Sequence, residues 1–222
     1  MPTPDIDEAL RYLGVPAPAP EQLREQAARL AGELCQKVRP RWVWRAFPIT
    51  RDGDGFVLEG TGLHLGGHTA GVMLAPCRQA AVLACTLGAY FDTLLRERQA
   101  RSMADAVILD ALGSAYVEAG CDAAERELAG RFPAHFLTDR FSPGYGDLPL
   151  ELQPGICAAL DAERRLGVHV SESLLMNPVK TVTAVIGLSE RPQAARIRGC
   201  EYCPMGETCQ LRKGGTRCEA GN

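Results

Sequence analysis

Residues 140–149 have the sequence RFSPGYGDLP, which places two glycines and two prolines within ten positions. Proline fixes its own φ and glycine accepts backbone conformations closed to other residues, so the segment predicts a fixed, open loop. The guanidinium of Arg140 matches a carboxylate or a phosphate. Tyr145 adds an aromatic face with a polar tip, and Asp147 can accept a hydrogen bond from an amine or a ribose. These residues suit a small ligand with a carboxylate and an aromatic base, and they also suit a wide turn with a structural arginine.

Helical and extended patterns on both sides of the 140–149 loop predict the fold class. Upstream, an apolar run over residues 79–86 predicts a buried strand, and helices follow over 89–100 and 102–129. The second helix carries a stripe of small residues, which lets another element approach closely. Downstream, residues 150–166 predict a helix and TVTAVIGL at 181–188 predicts a strand. Strands and helices do not alternate regularly, which favours an α+β fold with a mixed or antiparallel sheet and flanking helices.

The N-terminal part of the chain adds one helix and a hairpin. Apolar residues at helical spacing predict a helix from Glu21 that stops before Pro40. The segment RWVWRAFPI from Arg41 suits a strand, and Asp-Gly-Asp-Gly at 52–55 predicts the turn of a hairpin. We therefore divide the chain into an N-terminal segment with a Pro-rich connector (1–20), one main domain (21–190) and a Cys-rich tail (191–222).

Composition and charge exclude several classes of protein. Hydrophobic residues make up 46% of the 222 residues, enough to bury a core. The net charge of −3 argues against a nucleic-acid-binding protein, which usually has a basic excess. No apolar run approaches the roughly 20 residues that span a bilayer, and the acidic start MPTPDIDEAL is unlike a signal peptide. We therefore expect a cytoplasmic protein with reduced thiols and no membrane partner.

The motifs of common enzyme classes are absent from the sequence. There is no P-loop lysine motif, no dinucleotide-binding glycine motif after a strand, and no serine in a strand–turn–helix elbow. His64-Leu-Gly-Gly-His68 has the spacing of a zinc-binding pair. However, two glycines separate the histidines and no carboxylate follows in the expected place, so we predict a loop with ordinary histidines. The sequence thus identifies no catalytic residue.

Four cysteines in the tail have the density of a metal site. They are Cys200, Cys203, Cys209 and Cys218, within the last 23 residues. A Cys-x2-Cys pair can bind one ion through both sulfurs, but the longer gaps match neither the usual zinc ribbon nor the common ferredoxin pattern. The spacing leaves zinc, an iron–sulfur cluster and a metal-free terminus as alternatives. Dense free thiolates oxidise readily, which favours a metal.

Three segments in one order resemble the reactivation domain of vitamin B12-dependent methionine synthase, which binds S-adenosylmethionine (AdoMet). They are the 140–149 loop, then ESLLMNP at 172–178, then Thr-Val-Thr-Ala from Thr181. The resemblance covers roughly residues 102–188, and the loop is its most specific part. The chain is therefore similar to a free-standing version of that domain.

The resemblance implies a helmet-like α+β domain that binds AdoMet and docks over the cobalamin-carrying domain of its partner. In the family this assembly returns oxidised cobalamin to methylcobalamin by one-electron reduction and methylation from AdoMet. The implied partner is the cobalamin-binding domain of a methionine synthase or another corrinoid protein, with an electron donor such as flavodoxin or ferredoxin. The protein supplies positioning, because the cobalt carries the chemistry. The implied ligand-binding residues are Glu118 in the long helix and six residues of the loop: Arg140, Ser142, Gly144, Tyr145, Gly146 and Asp147.

The sequence departs from the family at two places. The family has proline-alanine-cysteine where this chain has Gly146-Asp147-Leu148, so the resemblance implies shared backbone contacts there and not shared side-chain contacts. A tyrosine pair that follows the last strand in the family is replaced by Arg191-Pro192.

Two other functions stay open beside the AdoMet-binding reactivation role. The protein can be an electron-transfer accessory whose C-terminal iron–sulfur cluster reduces a corrinoid protein. It can also be a scaffold that caps the cobalamin domain and uses zinc only to hold its tail. Because reactivation consumes an electron, the resemblance favours a cluster over zinc. In each case the protein is an accessory component, and whether it counts as an enzyme stays open.

Overall fold

The computed structural model describes residues 1–193. Within this range the chain forms seven helices: α1 (Ile6–Tyr12), α2 (Glu21–Lys37), α3 (His68–Leu74), α4 (Ala89–Arg101), α5 (Met103–Arg131), α6 (Leu152–Leu160) and α7 (Ala162–Leu166). The strands are β1 (Arg41–Asp52), β2 (Gly55–Leu58), β3 (Leu63–Leu65), β4 (Cys77–Thr86), β5 (Phe136–Leu137), β6 (His169–Val170), β7 (Met176–Asn177) and β8 (Thr181–Ser189).

Six strands form one mostly antiparallel sheet in the order β3-β2-β1-β4-β8-β5, and β6 pairs with β7 in a separate hairpin. The predicted α+β class with a mixed or antiparallel sheet is confirmed. The described chain divides into two compact units. The first comprises Met1–Trp44, Leu83–Leu128 and Ile156–Thr183, and the second comprises Arg45–Val82, Ala129–Gly155 and the described residues 184–193.

The first unit has its core around α5, which contributes thirteen buried residues. Two glycines of this helix allow close approach of neighbouring groups. A Cβ at Gly113 would overlap the Phe91 ring, with Cε2 at 2.7 Å, and a Cβ at Gly120 would lie 2.7 Å from the Cys85 sulfur. Close approach along this helix therefore occurs at these two glycines, which lie outside the predicted stripe of small residues.

A charged network joins three helices of the first unit. The Arg98 guanidinium of α4 lies 2.6 Å from Glu33 of α2 and 3.2 Å from Asp105 of α5. Hydrogen bonds from Arg98 and Arg29 lower the pKa of Glu33. Because one arginine bridges two carboxylates on different helices, this network fixes the packing of α2, α4 and α5.

The second unit contains the predicted hairpin. Asp52 of β1 pairs with Gly55 of β2 across a two-residue turn, in which Gly53 has a φ of +60°. A left-handed residue at this position is typical of tight hairpin turns, which explains the Asp-Gly-Asp-Gly sequence.

Two local predictions were wrong. The single helix expected over residues 150–166 is two helices, α6 and α7, separated at Asp161, which has a left-handed φ of +52°. The loop expected around His64 and His68 is instead the end of β3 followed by α3, with His68 as the first helical residue.

Candidate functional site

The 140–149 loop lies in the second unit, and its start pairs with strand β8. The backbones of Phe141 and Val185 exchange two hydrogen bonds, of 3.0 Å and 2.7 Å, and Phe141 is only 2% exposed. A buried aromatic side chain and a paired backbone together fix the start of the loop to the sheet.

Three further backbone hydrogen bonds fold the loop on itself. The Gly144 amide donates to the Leu148 carbonyl at 2.8 Å, Tyr145 donates to Ser142 at 3.0 Å, and Leu148 donates to Tyr145 at 3.1 Å. Gly144 and Gly146 have φ values of +84° and +60°, which other residues adopt only with strain. The loop therefore has the fixed, glycine-dependent conformation that its sequence indicates.

The side chains of the loop differ in exposure. Gly144, Gly146 and Asp147 are exposed, whereas Ser142 and Tyr145 are half-buried. Arg140, which precedes the buried Phe141, is also half-buried. The loop thus presents exposed backbone at its two glycines, with Tyr145 between them in sequence and Arg140 at its start, and these groups can hold a flat, charged small molecule.

Asp147 binds the beginning of α3. Its carboxylate accepts hydrogen bonds from the backbone amides of His68 and Thr69, the second at 3.0 Å. Interaction with the Thr69 side chain, followed by the two backbone bonds, lowers the pKa of Asp147 to about 2. The carboxylate is therefore ionised at neutral pH and is held by the helix.

Glu118 belongs to the first unit, where it lies half-buried on α5. The pKa of Tyr12, on α1, is raised mainly by burial, then by its hydrogen bond to Glu8, with smaller effects of the Glu8 and Glu118 charges. The structure thus brings the six loop residues together in one unit and places Glu118 in the other, near the side chain of Tyr12.

Sequence reasoning missed the contribution of α3 to this site. His68 was considered only as a metal ligand, and Thr69 was not considered at all. The one available signal was Gly66-Gly67, because a glycine at a helix start leaves the first amides without a local side-chain acceptor.

The predicted metal ligands Cys200, Cys203, Cys209 and Cys218 lie outside the described residues. Residues 1–193 contain no group of three or more His, Cys, Asp or Glu side chains that could hold a metal ion. Cys77, Cys85, Cys121 and Cys157 are buried, and burial raises the pKa of the Cys77 and Cys157 thiols to about 11. Over the same range no helix is both long and apolar enough to cross a membrane.

Comparisons with known proteins give a likeness of fold and no likeness of sequence family. No protein-family model matches the sequence, and no curated protein matches it. The fold is similar to that in a crystal structure of the MetH reactivation domain bound to AdoHcy, with a TM-score of 0.66. The alignment covers 93% of this chain and 76% of that chain at 18% sequence identity. The resemblance that the 140–149 loop indicates is therefore confirmed at the level of the fold: this chain folds like a MetH reactivation domain.

Proposed function

We propose that the protein binds AdoMet through the 140–149 loop and serves as a reactivation module for a cobalamin-dependent methyltransferase. Methionine synthase is the first candidate for that enzyme. The observation that carries the proposal is the arginine-bearing loop, fixed to β8 and shaped by two left-handed glycines, in a fold shared with a domain crystallised with AdoHcy.

The loop residues fit AdoMet in charge and in shape. The guanidinium of Arg140 matches the ligand carboxylate, and the Tyr145 ring offers an aromatic face to the adenine. Gly144 and Gly146 are exposed, so a ligand can reach their backbone. Ser142 adds a hydroxyl in the same loop.

The chain's own task is positioning. The partner's cobalamin supplies the reactive cobalt, and bound AdoMet supplies the methyl group. An in-line methyl transfer from a sulfonium needs no proton donor or acceptor, so a fixed loop that holds the carboxylate and the base of the ligand is sufficient. This agrees with a sequence that contains no recognised catalytic motif.

The partner we propose is the cobalamin-binding domain of a methionine synthase or another corrinoid protein in the cytoplasm. Binding should be tighter when the cobalt is in the cob(II)alamin state, because that state needs repair. A flavodoxin or ferredoxin is the electron donor of suitable chemistry. No nucleic acid and no membrane enter this proposal.

The test has a binding step and a reaction step. Calorimetry should detect AdoMet and AdoHcy binding to the full chain. The protein, AdoMet and a reductant should then convert a cobalamin-loaded partner from the cob(II)alamin to the methylcobalamin spectrum, and omission of AdoMet should prevent it. If neither ligand binds and no corrinoid protein of the same cell is retained in a pull-down with cofactor present, the proposal is wrong.

The cysteine-rich tail favours a second candidate function. Four cysteines within nineteen positions, near Arg212, Lys213 and Arg217 that offset thiolate charge, suggest an iron–sulfur cluster or a zinc site. With a cluster, the protein is an electron-transfer accessory that reduces a corrinoid protein. Anaerobic purification with metal analysis distinguishes the cases: brown protein with iron and sulfide supports a cluster, and colourless protein with one zinc supports a structural site. Metal-free protein with four titratable tail thiols contradicts both.

A further inference from the structure

The contact between Asp147 and α3 joins two segments that are far apart in sequence. The carboxylate accepts from His68 and Thr69, which precede it by 79 and 78 positions. It thereby connects the two left-handed glycines of the 140–149 loop to a separate helix of the same unit. The family described above has a different residue at this position, so the resemblance does not supply this connection.

Helix α3 depends on that carboxylate because it has no local cap. The residue before the helix is Gly67, which has a φ of +98° and no side chain to accept a hydrogen bond. The first amides of a helix have no partner within the helix and need an outside acceptor. Asp147 satisfies two of them, at His68 and Thr69.

Thr69 contacts both of the residues that follow Tyr145. Its backbone amide donates to the Asp147 carboxylate at 3.0 Å, and its hydroxyl group helps to lower the pKa of that carboxylate. The same hydroxyl oxygen would lie 2.8 Å from a Cβ added at Gly146, closer than real Cβ contacts allow. The Thr69 side chain therefore leaves no room for a Cβ at residue 146, and the Thr69 amide holds residue 147 by a hydrogen bond.

We propose that Thr69 and Asp147 are positioning residues that hold the backbone of Gly144–Gly146 in the conformation that accepts the ligand. Asp147 then acts through α3 and not through its own contact with the ligand. The inference rests on the proposed function, because it requires that the 140–149 loop binds AdoMet.

A double-mutant cycle on AdoHcy binding tests this proposal. The variants are Thr69→Val, which removes the hydroxyl and keeps the shape, Asp147→Asn, and the two combined. Each single substitution should weaken AdoHcy binding about three- to tenfold, because one polar interaction that shapes the site is lost. The double variant should bind no more weakly than Asp147→Asn alone, because both substitutions break the same connection. Thr69→Ser should restore the wild-type affinity.

Two controls separate positioning from general damage. Asp54→Asn changes an exposed carboxylate on the β1–β2 turn of the same unit and should leave AdoHcy binding unchanged. Amide hydrogen exchange at His68 and Thr69 should be faster in Asp147→Asn while the melting temperature falls little, because only the short α3 loses its cap.

The possible outcomes are distinct. Effects of Thr69→Val and Asp147→Asn that multiply in the double variant indicate a direct contact of Asp147 with the ligand and overturn the inference. Wild-type affinity in both single variants also overturns it and leaves the proposed function intact. Failure of the wild-type protein to bind AdoHcy overturns the proposed function and this inference together.

Discussion

Glycines in α5 and in the 140–149 loop are required for different physical reasons. Gly113 and Gly120 lie in an ordinary helix, and there the neighbouring Phe91 ring and Cys85 sulfur leave no room for a Cβ. Gly144 and Gly146 have positive φ values in an exposed loop, where backbone conformation constrains both residues and the Thr69 side chain also leaves no room for a Cβ at Gly146. Substitution should therefore damage packing in the first region and the binding site in the second.

Substitutions in the two regions should also affect different properties: the stability of the first unit in α5, and ligand binding in the 140–149 loop. Buried positions of α5 contribute to the core of the first unit, so changes there alter the free energy of unfolding. The loop is a surface segment held by a few backbone hydrogen bonds, so its distortion has a small effect on global stability and a large effect on a bound ligand.

The largest expected effect is on the stability of the first unit. Gly113→Ala should lower the free energy of unfolding by about 2–3 kcal/mol, because the added methyl overlaps the Phe91 ring. Gly32→Ala, in the middle of α2 with nothing within 4 Å, is the matched control. It should stabilise the protein by up to about 1 kcal/mol through helix propensity. Denaturant unfolding of the two variants measures the difference, and equal stabilities would contradict the packing argument.

Arg140→Ala should have the next largest effect, on AdoMet affinity. Loss of a charge-assisted hydrogen bond of about 1.5–3 kcal/mol should weaken binding roughly tenfold to a hundredfold. Arg78→Ala, at an exposed position of β4 in the same unit, should change nothing. Calorimetry measures both variants. Wild-type affinity in Arg140→Ala would remove this residue from the proposed site.

Alanine at Gly144 or Gly146 should weaken AdoMet binding by a smaller factor, about tenfold, because a left-handed alanine costs about 1–2 kcal/mol. At Gly146 the added Cβ also overlaps the Thr69 hydroxyl. Gly60→Ala is the matched control, because Gly60 has a φ of +76° and a Cβ added there would meet nothing within 4 Å. It carries the same backbone strain without the ligand contact, so it should lower stability slightly and leave affinity unchanged. A loop variant that unfolds with no selective loss of binding would indicate a structural turn.

Local sequence patterns predicted the elements whose formation depends on neighbouring residues. The periodicity of α2 and α5 and the Asp-Gly turn between β1 and β2 are signals within one segment, and these elements form as expected. The glycines and prolines of the 140–149 loop likewise indicated its fixed conformation.

Elements that depend on distant residues were not predictable in this way. Helix α3 follows two glycines and contains a third, and its first amides are capped by Asp147 from a remote part of the chain. The break between α6 and α7 was missed for another reason. It lies at Asp161, which has a left-handed φ, and an aspartate does not signal a helix break as a proline or a glycine does. The sequence predicted Asp147 to be a ligand contact because its hydrogen-bond partner Thr69 lies 78 positions away and is not recognisable from the local pattern.

The smallest expected effect is the pH dependence of the loop. The folded-state pKa of Asp147 is about 2, below its usual value near 4, because Thr69 and His68 donate hydrogen bonds to the carboxylate. A lowered folded-state pKa adds stability above the unfolded-state value, and this contribution is lost as the pH falls from about 4 to about 2. The amide chemical shifts of His68 and Thr69, followed by NMR from pH 6 to pH 2, should therefore stay constant to about pH 4 and then change. Asp147→Asn should abolish that transition, whereas Asp54→Asn should keep it. An unchanged transition in Asp147→Asn would mean that another group controls the start of α3. Because Asp147 is exposed, the global melting temperature should change little across the same range.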